Sequence, residues 1–338
     1  MPPSDWDRYV RAHPNSSAFH GGAAVLIGAD AFGLETHFIC ARDGEGRIMG
    51  VLPLTEQTII PWTRTLVSLP FCTYGGPLAD DEVTQVQLVT AAERLANERG
   101  IARVSLRCER ALPLIQWSEN RDKVSMVLDL PPSTQELSKR LGSKLRAQIK
   151  RAEIAMPEVS IGSVDLLDDF FLVFRHVMRD LGTPVYPRAF FDIVAKALRD
   201  NLSVIVIRIN KRPVSAAILV RHRDIMEVPW AATLRSVNPL SVNMRLYWEL
   251  LRHSIDSRCA SFDFGRCTVG SGTYRFKSQW GAMPKQLYWY SRLFGSKSDF
   301  AESRRPGGDM SALVNVWKRL PVPIASWIGA RISARLPW

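Results

Sequence analysis

The sequence predicts an α/β (α+β) fold made of two tandem copies of one module. The chain has 338 residues, which is enough for two ordinary domains. Its composition, 46% hydrophobic and 23% charged, is typical of a chain that buries a core. One order of elements (strand hairpin, strand, helix, strand, closing strand) is predicted twice, although no letter-by-letter repeat is present.

Alternating apolar residues and turn signals define the elements of the first predicted module, residues 1–132. The turn Asp43-Gly44-Glu45-Gly46 joins two strands into a hairpin. A helix is predicted over residues 83–99, and Gly100 ends it. The predicted strands cover residues 37–41, 48–55, 65–71, 102–108 and 123–130.

The same signals recur in the second predicted module, residues 160–295. The turn Asn210-Lys211-Arg212 predicts another hairpin. The predicted helices cover residues 166–181, 188–198 and 243–257. The predicted strands cover residues 202–209, 214–221, 225–233, 261–264 and 286–293.

A basic helix is predicted between the modules, over residues 133–159. Ser133 and Glu136 form the pattern of a capping box. Four apolar residues then recur at every fourth position: Leu137, Leu141, Leu145 and Ile149. Cations cover the remaining surface: Lys139, Arg140, Lys144, Arg146, Lys150 and Arg151. The pattern is compatible with a solvated connecting helix and with a helix that faces an anionic substrate.

The final segment, residues 296–338, is predicted to be a linker followed by a basic amphipathic tail from residue 311. Apolar residues recur through the tail, its charged residues are Lys and Arg, and Pro321 and Pro323 interrupt it. Two interpretations remain open: peripheral contact with a membrane surface, or packing on the protein body.

Charge and cysteine content restrict the partners and the compartment. The formal net charge of +11 suits RNA, a phosphorylated substrate or an anionic membrane face. The five cysteines are scattered and form no Cys-x-x-Cys pair, so neither a zinc site nor a disulfide framework is expected. With no signal-peptide pattern and no long apolar run, the sequence predicts a cytoplasmic protein that binds no metal.

Two short stretches match parts of the protein-kinase motifs, but the match is incomplete. Asp263-Phe264-Gly265 and His222-Arg223-Asp224 spell parts of the kinase metal-binding and catalytic loops. The catalytic loop also requires an Asn five residues after its Asp, and Pro229 stands there. A kinase is therefore not predicted.

Six stretches, taken in order, resemble the FemAB-like acyltransferases over about residues 6–293. These are tandem GNAT-type proteins that include peptidoglycan aminoacyltransferases, and the strongest resemblance is to members associated with PEP-CTERM and exopolysaccharide gene clusters. The stretches are residues 69–76, 144–153, 178–186, 227–231, 243–249 and 262–281.

The resemblance implies two GNAT-like modules, each a mixed, mostly antiparallel sheet flanked by helices. It also implies transfer of an acyl or aminoacyl group to an amine on an acceptor that is anionic and lipid- or sugar-linked. The co-substrate would be acyl-CoA or aminoacyl-tRNA, with no tightly bound cofactor. The Phe-Lys pair of the family pattern falls on Phe276-Lys277, where the lysine is expected to stabilise the reacting carbonyl or a substrate phosphate.

Residue chemistry adds three candidates for catalysis beside Lys277. Glu227 is a carboxylate in an otherwise apolar strand, so it is a candidate base, the alternative being a salt-bridged Glu. Asp263 ends the following strand and either orients the amine or pairs with Arg266. Tyr274 either protonates the leaving group or packs as an aromatic side chain.

Further residues are candidates for binding the donor or the acceptor. Asn243 begins a predicted helix, where free backbone N–H groups can bind an anion, unless it is only the cap. The other candidates are Arg266, Phe276, Trp230, Tyr186, Lys144 and Arg146. A second hypothesis from another class is a non-catalytic GNAT-like module that binds RNA or an anionic polymer.

Overall fold

Two seven-stranded sheets organise the residues that the computed structural model describes, which are 3–60, 63–294 and 311–336. The helices are α1 (Trp6–Ala12), α2 (Gly22–Val25), α3 (Ile27–Phe32), α4 (Glu82–Glu98), α5 (Thr134–Arg140), α6 (Ser143–Glu153), α7 (Leu167–Leu181), α8 (Arg188–Leu198), α9 (Val242–Asp256), α10 (Gly272–Ser278), α11 (Ser311–Arg319) and α12 (Val322–Ile332). The strands are β1 (Thr36–Arg42), β2 (Ile48–Ile59), β3 (Thr63–Val67), β4 (Leu78–Ala79), β5 (Arg103–Cys108), β6 (Ser118–Asn120), β7 (Lys123–Asp129), β8 (Glu158–Gly162), β9 (Leu202–Ile209), β10 (Arg212–His222), β11 (Ile225–Thr233), β12 (Ser261–Thr268), β13 (Met283–Gln286) and β14 (Tyr288–Leu293).

The first unit is built on a sheet in the order β1-β2-β3-β5-β14-β6, with β4 paired to β2. β1 and β2 form the predicted antiparallel hairpin, whose turn is fixed by Asp43, because its carboxylate accepts the backbone N–H groups of Glu45 and Arg47. α4 begins where the Asp81 side chain accepts the N–H of Thr84. The first core lies between α4 and the sheet and includes Leu54, Leu66, Leu88, Val104 and Leu106.

The second unit is built on a sheet in the order β13-β7-β12-β11-β10-β9-β8. β9 and β10 form the predicted hairpin, in which Asn210 and Lys211 adopt the left-handed conformation of a two-residue turn. β11 and β12 are parallel, and α9 connects them. The fold class predicted from the sequence, two mixed sheets flanked by helices, is confirmed.

The sheets divide the chain differently from the predicted boundaries 1–132 and 160–295. β7, predicted in the first module, lies in the second sheet, where Met126 joins the core of that unit. β14, predicted to close the second module, lies in the first sheet, where Tyr290 packs in the first core and its hydroxyl accepts the N–H of Leu112. Alternation of apolar and polar residues defines a strand but not the sheet that it joins.

The predicted connecting helix, residues 133–159, is two helices, α5 and α6. Ser133 caps α5 by accepting the N–H of Glu136, as predicted. The helix ends because Leu141 and Gly142 adopt extended conformations, and the Arg146 guanidinium then binds the Leu141 carbonyl at 2.6 Å. The apolar stripe is buried in the second core, so these helices are part of the second unit and not a solvated connector: Leu137, Leu141, Leu145 and Ile149.

The tail is two helices, α11 and α12, that contact α7 in the second unit. Pro321 is the N-terminal cap residue of α12 and Pro323 lies in its first turn, so the prolines interrupt the tail, as the sequence predicts. The predicted linker, residues 296–310, lies outside the described residues. None of the helices that the structure describes is long and apolar enough to cross a bilayer.

Candidate active site

The central feature of the second unit is the point where the hydrogen-bonded pairing of β11 with β12 ends. The parallel pairing covers three residue pairs and stops at Glu227 and Asp263. On its other side β11 stays paired with β10, but with a bulge, because Val228 and Pro229 lie between the residues that face Ile218 and Val220. Pro229 has no N–H to give to a ladder, which accounts for the irregularity at this position.

Glu227 and Asp263 lie side by side on one face of the sheet. They are register partners on parallel strands, so their side chains project in the same direction. The preceding pair, Met226 and Phe262, projects to the opposite face and into the second core. Glu227 and Asp263 are only 6% and 3% exposed, so two carboxyl groups are buried next to each other.

Asp263 holds the backbone of β12 just past the end of the pairing. Its Oδ1 accepts the Ser125 hydroxyl at 2.5 Å and the backbone N–H of Gly265 at 2.7 Å. Gly265 has a φ of +75°, which a residue with a side chain rarely adopts. Burial raises the pKa of Asp263, while the hydrogen bonds and the positive charge of Lys277 act in the opposite direction. Asp263 therefore fixes this turn of β12 through its hydrogen bonds with Ser125 and Gly265.

Lys277 binds the same turn of β12 from the other side. It lies on α10, which begins where the Ser271 hydroxyl accepts the N–H of Tyr274. Its Nζ donates to the carbonyl oxygens of Gly265 at 2.7 Å and Arg266 at 3.0 Å. The side chain is 7% exposed, and burial lowers the pKa of Lys277 below the ordinary value of 10.5.

An ammonium group has three N–H donors. Among the described residues, the carbonyls of Gly265 and Arg266 accept two of those of Lys277. A largely desolvated cation is suited to stabilise negative charge that develops on a carbonyl or that a phosphate carries.

The aromatic candidates on α10 pack on the second core. Phe276 lies edge-to-face against Tyr247, with ring centroids 4.8 Å apart. Tyr274 is half-buried against the same core. Asn243 is in the first turn of α9, and its side-chain oxygen accepts the Thr233 hydroxyl at 3.1 Å, so it ties the end of β11 to the helix. The N-terminal cap position of α9 is Ser241, not Asn243.

Trp230 and Tyr186 meet in an aromatic cluster on α8. Trp230 lies edge-to-face against Phe190 and Phe191, at centroid distances of 5.8 and 5.6 Å. The Tyr186 ring lies 4.5 Å from Phe190. Both predicted binding residues are buried in packing contacts, and Trp230 follows Glu227 along β11.

The two predicted binding residues on α6 have different environments. Lys144 is exposed on the helix surface. Arg146 donates to the carbonyls of Ser138 and Leu141, so it fastens the end of α5. The structure thus brings together Glu227, Asp263 and Lys277, with Arg266 next to them, and gives Arg146 a structural role.

Sequence reasoning missed three contributors: Ser125, Pro229 and the conformation of Gly265. Ser125 is a fully buried hydroxyl between two core residues of β7, and this polar position in an apolar strand was the signal. Its partner Asp263 belongs to the second sheet, whereas the sequence predicts β7 in the first module. Pro229 inside a predicted strand was also a signal, since a proline there marks an edge or a bulge.

One group of possible metal ligands occurs among the described residues, in the first unit. Glu35, His37 and Glu56 have ligand atoms within 4.8 Å of one another. Arg99 forms ion pairs with both carboxylates, and Arg64 pairs with Glu56 at 3.0 Å. These guanidinium groups supply the positive charge that a metal would bring, so the cluster is an ion-pair network.

Residues 138–278, which contain the candidate site and most of the second sheet, match the family described as "Acetyltransferase (GNAT) domain". No curated protein matches the chain. The fold is similar to that of FemX, with a TM-score of 0.68, 10% identity, and coverage of 86% of this chain and 95% of FemX.

Two further solved structures share the fold. L-PGS from Bacillus licheniformis has a TM-score of 0.57 and 11% identity, with coverage of 94% of this chain and 96% of that one. A tandem GNAT protein from the clavulanic acid biosynthesis pathway has a TM-score of 0.52 and 9% identity, with coverage of 80% and 87%. Residues 138–278 therefore match a GNAT-type acetyltransferase domain, and the fold of the chain as a whole is similar to that of FemX. The family match supports acyl transfer as the general activity.

Proposed function

We propose that the chain is a FemAB-type N-acyltransferase that moves an acyl or aminoacyl group from an activated donor directly to an amine. The observation that carries this proposal is the buried Lys277 ammonium, held by two backbone carbonyls beside Asp263 at the end of the β11–β12 pairing. No covalent enzyme intermediate is required for this reaction.

Each step of the transfer has a candidate group. The amine nitrogen attacks the carbonyl carbon of a thioester or an ester, and Glu227 takes the proton that the amine loses. The third N–H of Lys277 stabilises the negative charge on the carbonyl oxygen or on a donor phosphate. The bond to the leaving thiol or hydroxyl then breaks, and Tyr274 supplies the proton that this group gains.

The donor is acyl-CoA or aminoacyl-tRNA. Both carry phosphates, and the exposed cations of α6 (Lys144, Lys150 and Arg151) together with the net charge of +11 suit either one. The acceptor is an amine on an anionic, lipid- or sugar-linked precursor of the cell envelope or of an exopolysaccharide. The reaction takes place on the cytoplasmic side of the membrane.

Transfer can be tested by incubating the purified protein with a panel of acyl-CoAs or aminoacyl-tRNAs and with amine acceptors, and by following the products by mass spectrometry. Lys277→Ala and Glu227→Gln are expected to abolish transfer while the protein stays folded. Lys196→Ala and Glu158→Gln remove the same chemical groups from exposed positions and serve as matched controls. Full activity in both site variants would refute the assignment of the site.

The non-catalytic alternative makes the opposite prediction. A module that only grips RNA or an anionic polymer would bind it in a salt-sensitive, sequence-independent manner and would transfer nothing from any donor. The burial of Lys277 and Glu227 favours the enzyme, because cations that bind a polymer are usually exposed.

A further inference from the structure

The two tail helices expose large apolar side chains that the fold does not use. Leu313 and Val316 on α11 are 68% and 60% exposed, and Ile324 and Trp327 on α12 are 48% and 60% exposed. These four side chains form the tail surface. Single exposed apolar residues are normal, but four of them within fifteen positions, one a tryptophan, are not.

The opposite sides of both helices are fixed to the protein. Gly182, at the end of α7, lies so close to Val314 that a Cβ there would be 2.5 Å from its side chain. On α12, a Cβ at Gly329 would lie 2.7 Å from the backbone nitrogen of Val185. The Arg179 guanidinium also binds the Leu320 carbonyl at 2.7 Å. The tail is therefore packed, and the tail surface is what remains outside after packing.

The charge of the tail has one sign. Within residues 311–336 the charged side chains are cations: Lys318, Arg319, Arg331 and Arg335. The Arg331 guanidinium lies over the Trp327 ring at 3.7 Å. Apolar side chains and tryptophan flanked by cations, with no acidic residue, are typical of helices that lie in the headgroup region of an anionic bilayer.

We propose that the tail surface docks the protein on an anionic lipid bilayer, with Leu313, Val316, Ile324 and Trp327 entering the headgroup region and Arg319 and Arg331 contacting lipid phosphates. Docking would bring the protein to the bilayer that holds a lipid-linked acceptor, and this link between docking and transfer rests on the proposed function. The docking itself needs no transfer and is measured separately.

The test uses the full chain and sedimentation with vesicles of phosphatidylcholine with or without phosphatidylglycerol. We expect binding to the anionic vesicles and little to the neutral ones. Arg319→Gln with Arg331→Gln is expected to weaken binding roughly 30-fold, because each cation near the surface contributes about a factor of five. Leu313→Ser with Trp327→Ser is expected to weaken it by about tenfold or more.

Matched controls separate this surface from others. Ile115→Ser removes an apolar side chain that is 99% exposed in the first unit, and Lys150→Gln with Arg151→Gln removes two exposed charges from α6. Both should leave vesicle binding nearly unchanged. The proposal is overturned if the wild-type chain ignores anionic vesicles, if only the α6 pair lowers binding, or if the tail variants instead abolish self-association in analytical ultracentrifugation. Lys277→Ala should bind vesicles normally, so loss of transfer and loss of docking are distinguishable.

Discussion

The replacement of Lys277 by methionine is the sharpest test of the site. Methionine is close to lysine in length and apolar, so it can fill the same buried space without the ammonium. The substitution removes the two hydrogen bonds to Gly265 and Arg266 and the third N–H that we assign to the substrate.

We expect Lys277→Met to change the stability of the protein little and to lower its activity strongly. Two buried carbonyls lose a donor, which costs about 1–3 kcal/mol each. The lowered pKa of Lys277 shows that burying its charge is unfavourable, and methionine removes that cost. The two effects oppose each other, so the net change in unfolding free energy should stay within about 2 kcal/mol. Loss of one electrostatic stabiliser of a developing oxyanion typically costs about 10²–10³ in kcat, or about 3–4 kcal/mol.

Urea unfolding and steady-state transfer, measured on the same preparation, separate the two quantities. Lys196→Met is the matched control, because Lys196 is exposed on α8. The reasoning is refuted if Lys277→Met unfolds at the wild-type urea concentration and still transfers within threefold of the wild-type rate. A variant that loses both stability and activity would indicate a structural lysine.

Three further predictions concern the same framework and the tail. The rate of transfer should fall as the pH rises through the pKa of Lys277, because the ammonium then loses its charge. This fall should begin below pH 10.5, since the pKa of Lys277 is lowered from that value. A pH–rate profile that rises there instead would indicate a neutral lysine acting as a base. Ser125→Ala should lower the unfolding free energy by about 1–3 kcal/mol above the raised pKa of Asp263, where the carboxylate is charged, and by less below pH 3.8. Urea midpoints that equal those of the wild type at every pH would contradict this. Gly265→Ala should lower the unfolding free energy by about 1–2 kcal/mol, because the φ of Gly265 is positive, and should also slow transfer. Unfolding and activity would be measured in parallel on Gly270→Ala, the control at an exposed glycine of similar φ.

The fold was predictable because its signals are local. The hairpin turns at Asp43 and Asn210, the cap at Ser133 and the stop at Gly100 each depend on a few adjacent residues. The exchange of β7 and β14 between the sheets was not predictable from the sequence. The alternation of apolar and polar residues around Met126 and Tyr290 would be the same in either sheet. The break at Gly142 was missed for a related reason: the four-residue apolar period continues across it.

The candidate site was predictable in its residues but not in its geometry. Lys277 and Asp263 stood out by motif and by their place at a strand end. That Lys277 binds backbone carbonyls, and that Asp263 shapes the same turn, depends on the positive φ of Gly265 and on Ser125 arriving from a distant strand. Tertiary contacts of this kind leave no mark in a single sequence.

The exchange of strands has a consequence for how the chain is made. β14 lies between β5 and β6 in the first sheet, so that sheet cannot close until residues 288–293 have left the ribosome, about 170 residues after β6. Long sequence separation between paired strands slows folding, and the first unit must therefore wait for most of the second. A fragment of residues 1–132 would leave β5 and β6 without the strand that lies between them and would carry β7 without its sheet, so we expect this fragment not to fold on its own.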